Sequence, residues 1–422
     1  MRRSIIVLAY SASIAACIAP STSTPSVAAP AQSELDLVVR ARVIHQAVIT
    51  IDTHDDIPGN FATPEVDPLN NARQVNLEKM KAGGLDVAFF AVFVGQTPRT
   101  AENYDKAKAD AMQKFTAIHR MAEQMYPDRI AIAYTADDVE RIHASGKLVA
   151  AIGIENGYVI GTDLSLVKKY YDLGARYMTL AHTQNNDICD SSTDPKGPEH
   201  NGLSAFGRQV VGEMNRVGMM VDISHVSKAC MMQATALSKS PVIASHSSTT
   251  ALANVPRNMD DEQLLALKKN GGVMQTVAFS GYVRAVPADK QAALDSVRRA
   301  FGFGPGGGGA AGGQRRMTDS LRAAFQQATA ALDLKWPPPT VQDFVDHIDH
   351  AVKLIGIDHV GISSDFDGGG GVRGWSDAAE SFNVTLELVR RGYTEEQIRK
   401  LWGGNVLRVW RENARLAAET KA

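Results

Sequence analysis

The chain has 422 residues, 44% of them hydrophobic and 21% charged, with a formal net charge of −2. This is the composition of a soluble globular protein with enough apolar mass for a large core. The near-neutral balance argues against nucleic acid or an anionic membrane as partner, since both call for a basic surface.

Residues 1–32 read as an export signal and linker. Arg2 and Arg3 precede a mostly apolar run, Ile5 to Ala19, and a stretch rich in Pro, Ser, Thr and Ala follows. A membrane span needs about 20 apolar residues, and this run is shorter and contains Ser11 and Ser13. Val27-Ala28-Ala29 and Ala29-Pro30-Ala31 fit ordinary signal cleavage, whereas Ile14-Ala15-Ala16-Cys17 fits a lipobox that would leave a lipid anchor on Cys17. Either route places the mature protein outside the cytoplasm, in the periplasm or lipid-anchored to the envelope. There a disulfide between Cys189 and Cys230 is permitted; two free thiols are the alternative.

Eight apolar, often β-branched runs follow: Val48–Asp52, Val87–Val94, Leu148–Ile154, Tyr177–Ala181, Met219–Ile223, Val242–Ala244, Gly272–Phe279 and His359–Ser363. Runs apolar on both faces are what buried parallel strands require. Amphipathic helices are predicted between most of them, at Tyr104–Met125, Leu164–Leu173, Phe206–Val217, Asp260–Asn270 and Val341–Ile355. Strands alternating with helices predict an α/β fold with a parallel sheet, and eight repeats suggest closure into a single (β/α)8 TIM-like barrel over 36–415. An insertion at about 281–339 interrupts the rhythm. Its glycine-rich centre, Gly302 to Gly313, lacks the Gly-Lys-Ser/Thr of a phosphate loop and reads as a flexible surface segment.

The chemistry sits at the ends of the strand-like runs. His54 and Asp56 are two residues apart, just past the first run, so extended backbone would aim both at one cation. Glu155 follows an apolar run, where an unpaired carboxylate is costly; its two oxygens can bridge two cations. His225 and His246 end consecutive runs at a Ser-His step, His182 ends the fourth and Asp365 the eighth. Polar groups at one end of strand after strand are how a barrel builds an active site. Mixed imidazole and carboxylate donors suit a catalytic zinc site rather than a structural one.

Ordered along the chain, several stretches resemble the membrane dipeptidase (renal dipeptidase) family of zinc peptidases. They are Asp52-Thr-His-Asp-Asp-Ile-Pro58, Ile152-Gly-Ile-Glu-Asn-Gly157, the run from Leu173 to His182, Gly202 to Gly207, Val221 to Ser227, Pro241 to Ser248, Arg257-Asn258 and Ser364 to Gly368. The resemblance covers about residues 40 to 412 apart from the glycine-rich insertion. It implies two Zn2+ per chain, one held by His54, Asp56 and Glu155, the other by Glu155, His225 and His246. It also implies substrate contacts from His182 near the developing oxyanion and Arg257 at the terminal carboxylate, with Asp365 handling the proton of a metal-bridging hydroxide. A dipeptide substrate and a homodimer follow from the same resemblance. Where the family often has Glu-Gly-Gly-His, this chain has Glu155-Asn156-Gly157-Tyr158, which keeps the ligand and alters the pocket wall.

Two other readings stand beside it. One is another binuclear barrel hydrolase acting on a lactone, a cyclic amide or a phosphoester; its His-x-His opening and modified lysine bridge are not matched by His54-x-Asp56 and Glu155. The other is a non-catalytic exported binding protein, which predicts a damaged donor set.

Overall fold

A computed structural model describes residues 33–302 and 319–421. The predicted signal and Cys17, and nearly all of the Gly302–Gly313 run, lie outside these described residues. Among the described residues, nine strands form one parallel sheet: β1 (Ile51–Asp56), β2 (Val87–Phe93), β3 (Ile130–Ile132), β4 (Leu148–Glu155), β5 (Ala175–Thr179), β6 (Met220–Asp222), β7 (Ile243–Ser247), β8 (Val273–Val277) and β9 (Val360–Ser363). Eight of them follow one another in the order β1-β2-β4-β5-β6-β7-β8-β9, and the three-residue β3 pairs with β4 off that path. Just past β9, Phe366 bridges Asp55 of β1 and its carbonyl accepts from the Asp56 amide at 2.9 Å, which nearly closes the ring. The expected TIM-like barrel is therefore the fold.

Side-chain alternation divides the barrel into an inner and an outer layer. Ile51, Val87, Phe89, Val149, Ala151, Tyr177, Met220, Ile243 and Val273 pack together inside, joined by Val406 and Trp410 of the last helix, Asn405–Lys421. Their neighbours along the strands, such as Ala88, Phe90, Ala150, Ile152 and Met178, pack outward on the surrounding helices. The apolar plug leaves the opposite end, at the strand carboxyl termini, for polar groups.

Most predicted helices form close to their expected bounds. Val341–Ile355 is as predicted; its start is a capping box in which Thr340 and Asp343 satisfy each other's amides. The predicted Asp260–Asn270 helix begins one residue later because Asp260 is its N-cap, and Gly271, at φ +84°, ends it. The predicted Tyr104–Met125 helix runs from Ala101 to Arg120 and continues as one π-type stretch, Met121–Met125. The insertion contains regular structure on either side of its glycine run. Helices Ala288–Ala300 and Asp319–Lys335 flank the glycine run, with Lys290 reaching Asp333 at 3.2 Å and Phe301 packing edge-on against Phe325. Cys189 and Cys230 are neighbouring, fully buried free thiols, the second of the two alternatives.

Candidate metal centre

Glu155 is the hub. On β4 it shares the inward side with Val149, Ala151 and Gly153, one step beyond the apolar plug. Its Oε2 lies 3.5 Å from His54 Nε2, and its Oε1 lies 3.0 Å from His225 Nε2 and 3.4 Å from both His246 Nε2 and His182 Nε2. The two oxygens therefore face two separate imidazole sets. His54 Nε2 also lies 3.6 Å from Asp56 Oδ2. His225 and His246 bring their Nε2 atoms within 2.8 Å of each other. His54, Asp56 and Asp365 converge as well, with one donor atom from each within 4.8 Å of the others.

Local structure sets these positions. His225 and Asp365 sit in the left-handed backbone region, at φ +67° and +60°. Such conformations carry strain for residues other than glycine and gather at functional sites. Gly368 lets the loop after β9 pass close by: a Cβ there would lie 2.2 Å from Asp365 Oδ1 and 2.3 Å from Asp56 Oδ2.

Hydrogen bonds behind the rings decide which nitrogens are free. Tyr177 donates its hydroxyl proton to the Thr53 carbonyl at 2.9 Å. Its oxygen, 2.9 Å from His54 Nδ1, can then only accept, so Nδ1 carries a proton and, in the neutral ring, Nε2 keeps its lone pair. Burial opposes protonation of this ring, but Tyr177 and the Glu155 and Asp56 carboxylates hold it well above the ordinary histidine range, and a cation at Nε2 would take the place of that second proton. Ser245 works on His246 in the same way. Its hydroxyl donates to Asp222 Oδ2 at 2.6 Å and accepts from His246 Nδ1 at 2.8 Å. Both orienting contacts point a bare Nε2 into the cluster, the arrangement found behind metal-bound imidazoles. His54 Nε2 is buried with no hydrogen-bond partner among the described residues.

Burial and charge polarise the cluster. Burial, assisted by the Arg257 charge, holds His225 well below the ordinary histidine range; burial and the neighbouring His54 do the same for His246. Neutral imidazole is the ligand form. Burial alone would raise Glu155, but the imidazoles of His182 and His54, with hydrogen bonds from His225 and His246, hold it well below its usual value. Burial pushes Asp365 well above the carboxylate range. A cation close by would reverse that direction.

The membrane dipeptidase family model (peptidase family M19) matches residues 38–422. The chain belongs to that family. Dipeptidase tcpJ of Claviceps purpurea is 34% identical to it over 83% of this chain and 72% of the relative, and dipeptidase verJ of Clonostachys rogersoniana is 33% identical over 85% and 82%. The crystal structure of the probable dipeptidase PvdM from Pseudomonas aeruginosa superposes with a TM-score of 0.78 at 32% identity, over 90% of this chain and 99% of that one. The protein is thus a metallo-dipeptidase, a hydrolase acting on peptide bonds.

In this dipeptidase all eight site residues singled out in the sequence lie at one mouth of the barrel. Strand bounds differ from expectation at several of them: His54 and Asp56 lie within β1, not past it, Glu155 is the last residue of β4, and His246 lies within β7. Arg257 stands at the edge of the cluster, donating to the His246 carbonyl at 3.0 Å and lying 5.1 Å from the Tyr282 ring centroid. Tyr177, Ser245, Phe93, Tyr282 and Lys114 went unnoticed. The inward alternation of β2 and β5 marks Phe93 and Tyr177, but only once strand bounds are known to a residue; Lys114 left no signal beyond a charge in an amphipathic helix.

Proposed function

We propose that this metallo-dipeptidase uses two zinc ions bridged by Glu155, one held with His54 and Asp56 and the other with His225 and His246. The observation that carries the reading is the division of the Glu155 oxygens between His54 on one side and the His225–His246 pair on the other. The bare, tautomer-fixed Nε2 of His54 and the nitrogen and oxygen donor set fit zinc. Bound there, zinc ions polarise a carbonyl and yield hydroxide near neutral pH.

The chain's own groups supply the rest. Arg257 offers a planar fork for the substrate's terminal carboxylate. His182, 3.4 Å from Glu155 Oε1, is placed to donate to the scissile oxygen as it becomes an oxyanion. Asp365 accepts the attacking water's proton and returns it to the leaving amine. Reading the carboxylate one residue from the scissile bond confines the enzyme to dipeptides. The reading also holds that residues 1–32 export the chain, by cleavage or by lipidation at Cys17, and that it acts as a homodimer. No helix of the described residues is long and apolar enough to cross a membrane.

The test is hydrolysis of a dipeptide library with and without chelator, alongside lactone, cyclic amide and phosphoester substrates. Dipeptides should be cleaved, chelation should abolish turnover, and about two equivalents of zinc should restore it. Faster turnover of a non-peptide substrate, or activity indifferent to chelation, overturns the proposal.

A further inference from the structure

We propose that Lys114 reads an acidic side chain on the first residue of the dipeptide. Lys114 belongs to the helix Ala101–Arg120, yet it is only 8% exposed. A buried lysine without a counter-ion is rare, because removing an ammonium from water is expensive. Lys114 forms no hydrogen bond and no salt bridge among the described residues, and its ammonium lies 5.6 Å from the centroid of the Phe93 ring.

Phe93 ties this cation to the catalytic end. It shares the inward side of β2 with Val87 and Phe89, and its backbone is in register with Glu155. Its ring lies 4.8 Å from that of His182. The order along the rim is therefore Lys114, Phe93, His182. The carboxylates that act on the Lys114 charge most strongly are Asp56 and Glu155; neither forms an ion pair with it, and Oδ2 of Asp56 and Oε2 of Glu155 both lie against His54. The ammonium is left for something that enters from outside.

Direction follows from the second buried cation. Arg257 stands on the His246 side, held to the His246 carbonyl and to Ser247 Oγ. Lys114 stands on the Asp56 side. This inference rests on the proposed function, in which Arg257 takes the terminal carboxylate and the scissile bond lies over Glu155. The first residue then extends toward Phe93, with the ring against its methylenes and the ammonium within reach of a side-chain carboxylate. Glutamate or aspartate fits; the isosteric amide loses the charge.

The test compares Glu-Ala with Gln-Ala, and Ala-Glu with Ala-Gln, on zinc-loaded wild type, Lys114→Met and Lys114→Arg. Wild type should favour Glu-Ala over Gln-Ala in kcat/KM by about tenfold or more, expressed mainly in KM. That ratio should fall to about one in Lys114→Met and persist in Lys114→Arg. A wild-type ratio near one overturns the proposal, as does a ratio that Lys114→Met leaves unchanged. A preference for Ala-Glu that depends on Lys114 overturns the assignment to the first residue. Calorimetry on zinc-loaded Asp365→Asn reads the same ratio in Kd without turnover. Failure to hydrolyse any dipeptide would then count against the peptidase reading, while the Kd ratio still decides the role of Lys114.

Discussion

Tyr177 shows how much of a candidate ligand's aim is set by residues outside the donor cluster. Its ring fits because Gly153 on the adjacent strand has no side chain; a Cβ there would lie 2.0 Å from Tyr177 Cζ. Its hydroxyl then fixes the tautomer of His54. Tyr177→Phe keeps the packing and removes the orienting oxygen. Zinc affinity should drop by about 10–100-fold, measured by competition with a chelating dye, with the far-UV spectrum unchanged. Unaltered affinity would show that His54 is oriented some other way. The candidate donors themselves were legible in the sequence because a carboxylate or imidazole at the tip of an apolar run is costly to bury unless a cation or a partner meets it. Tyr177 was not, since an aromatic residue inside such a run looks like core, and its outer half is core.

Among the elements, strand identity was legible and strand bounds were not. The run Val48–Asp52 looks like a strand, but Val48 caps the preceding helix Glu34–Ala47 and lies in the core. The true β1 carries His54, Asp55 and Asp56, and the closing bridge to Phe366 uses the backbone of Asp55 and Asp56. The helix Glu34–Ala47 itself escaped notice, and it brings a pH-sensitive contact. His45 is buried between Thr385 Oγ1, at 2.7 Å, and the Gly83 carbonyl, at 2.8 Å. Burial lowers its pKa. The unfolded imidazole takes a proton near pH 6.5 and the folded one only at lower pH, so the unfolded state binds more protons as the solution is acidified. The contribution of this contact is therefore present above about pH 6.5 and is lost as pH falls below it. With zinc removed from both proteins, His45→Gln should have a Tm that declines less between pH 7 and pH 5 than that of wild type. Equal slopes in differential scanning calorimetry would rule the contact out as a source of acid sensitivity.

At the scale of the whole molecule, eight regular strand–helix repeats made the barrel readable, since that number is what closes a (β/α)8 ring. The short β3, three residues long and outside the ring, gave no comparable pattern. The helices that flank the glycine run were hidden in the sequence because the glycines dominated the composition of the insertion. Because the donor residues are distributed around the ring, zinc should stabilise the entire fold and not one loop. An excess about a thousandfold over Kd should add roughly 4 kcal/mol and raise Tm by several degrees in a single transition. A separate zinc-dependent transition would mean that the centre melts independently.

One contact across the ring has a consequence for assembly. The imidazoles of His54 and His246 lie 4.0 Å apart, centroid to centroid, although 191 residues of chain lie between them. No contiguous fragment shorter than that span can present both. Under the proposed assignment the donor set of His54, Asp56 and Glu155 needs only the first strands, whereas the paired centre is complete only once the first strand has met the seventh, so binding of the full complement of zinc would come at the end of folding.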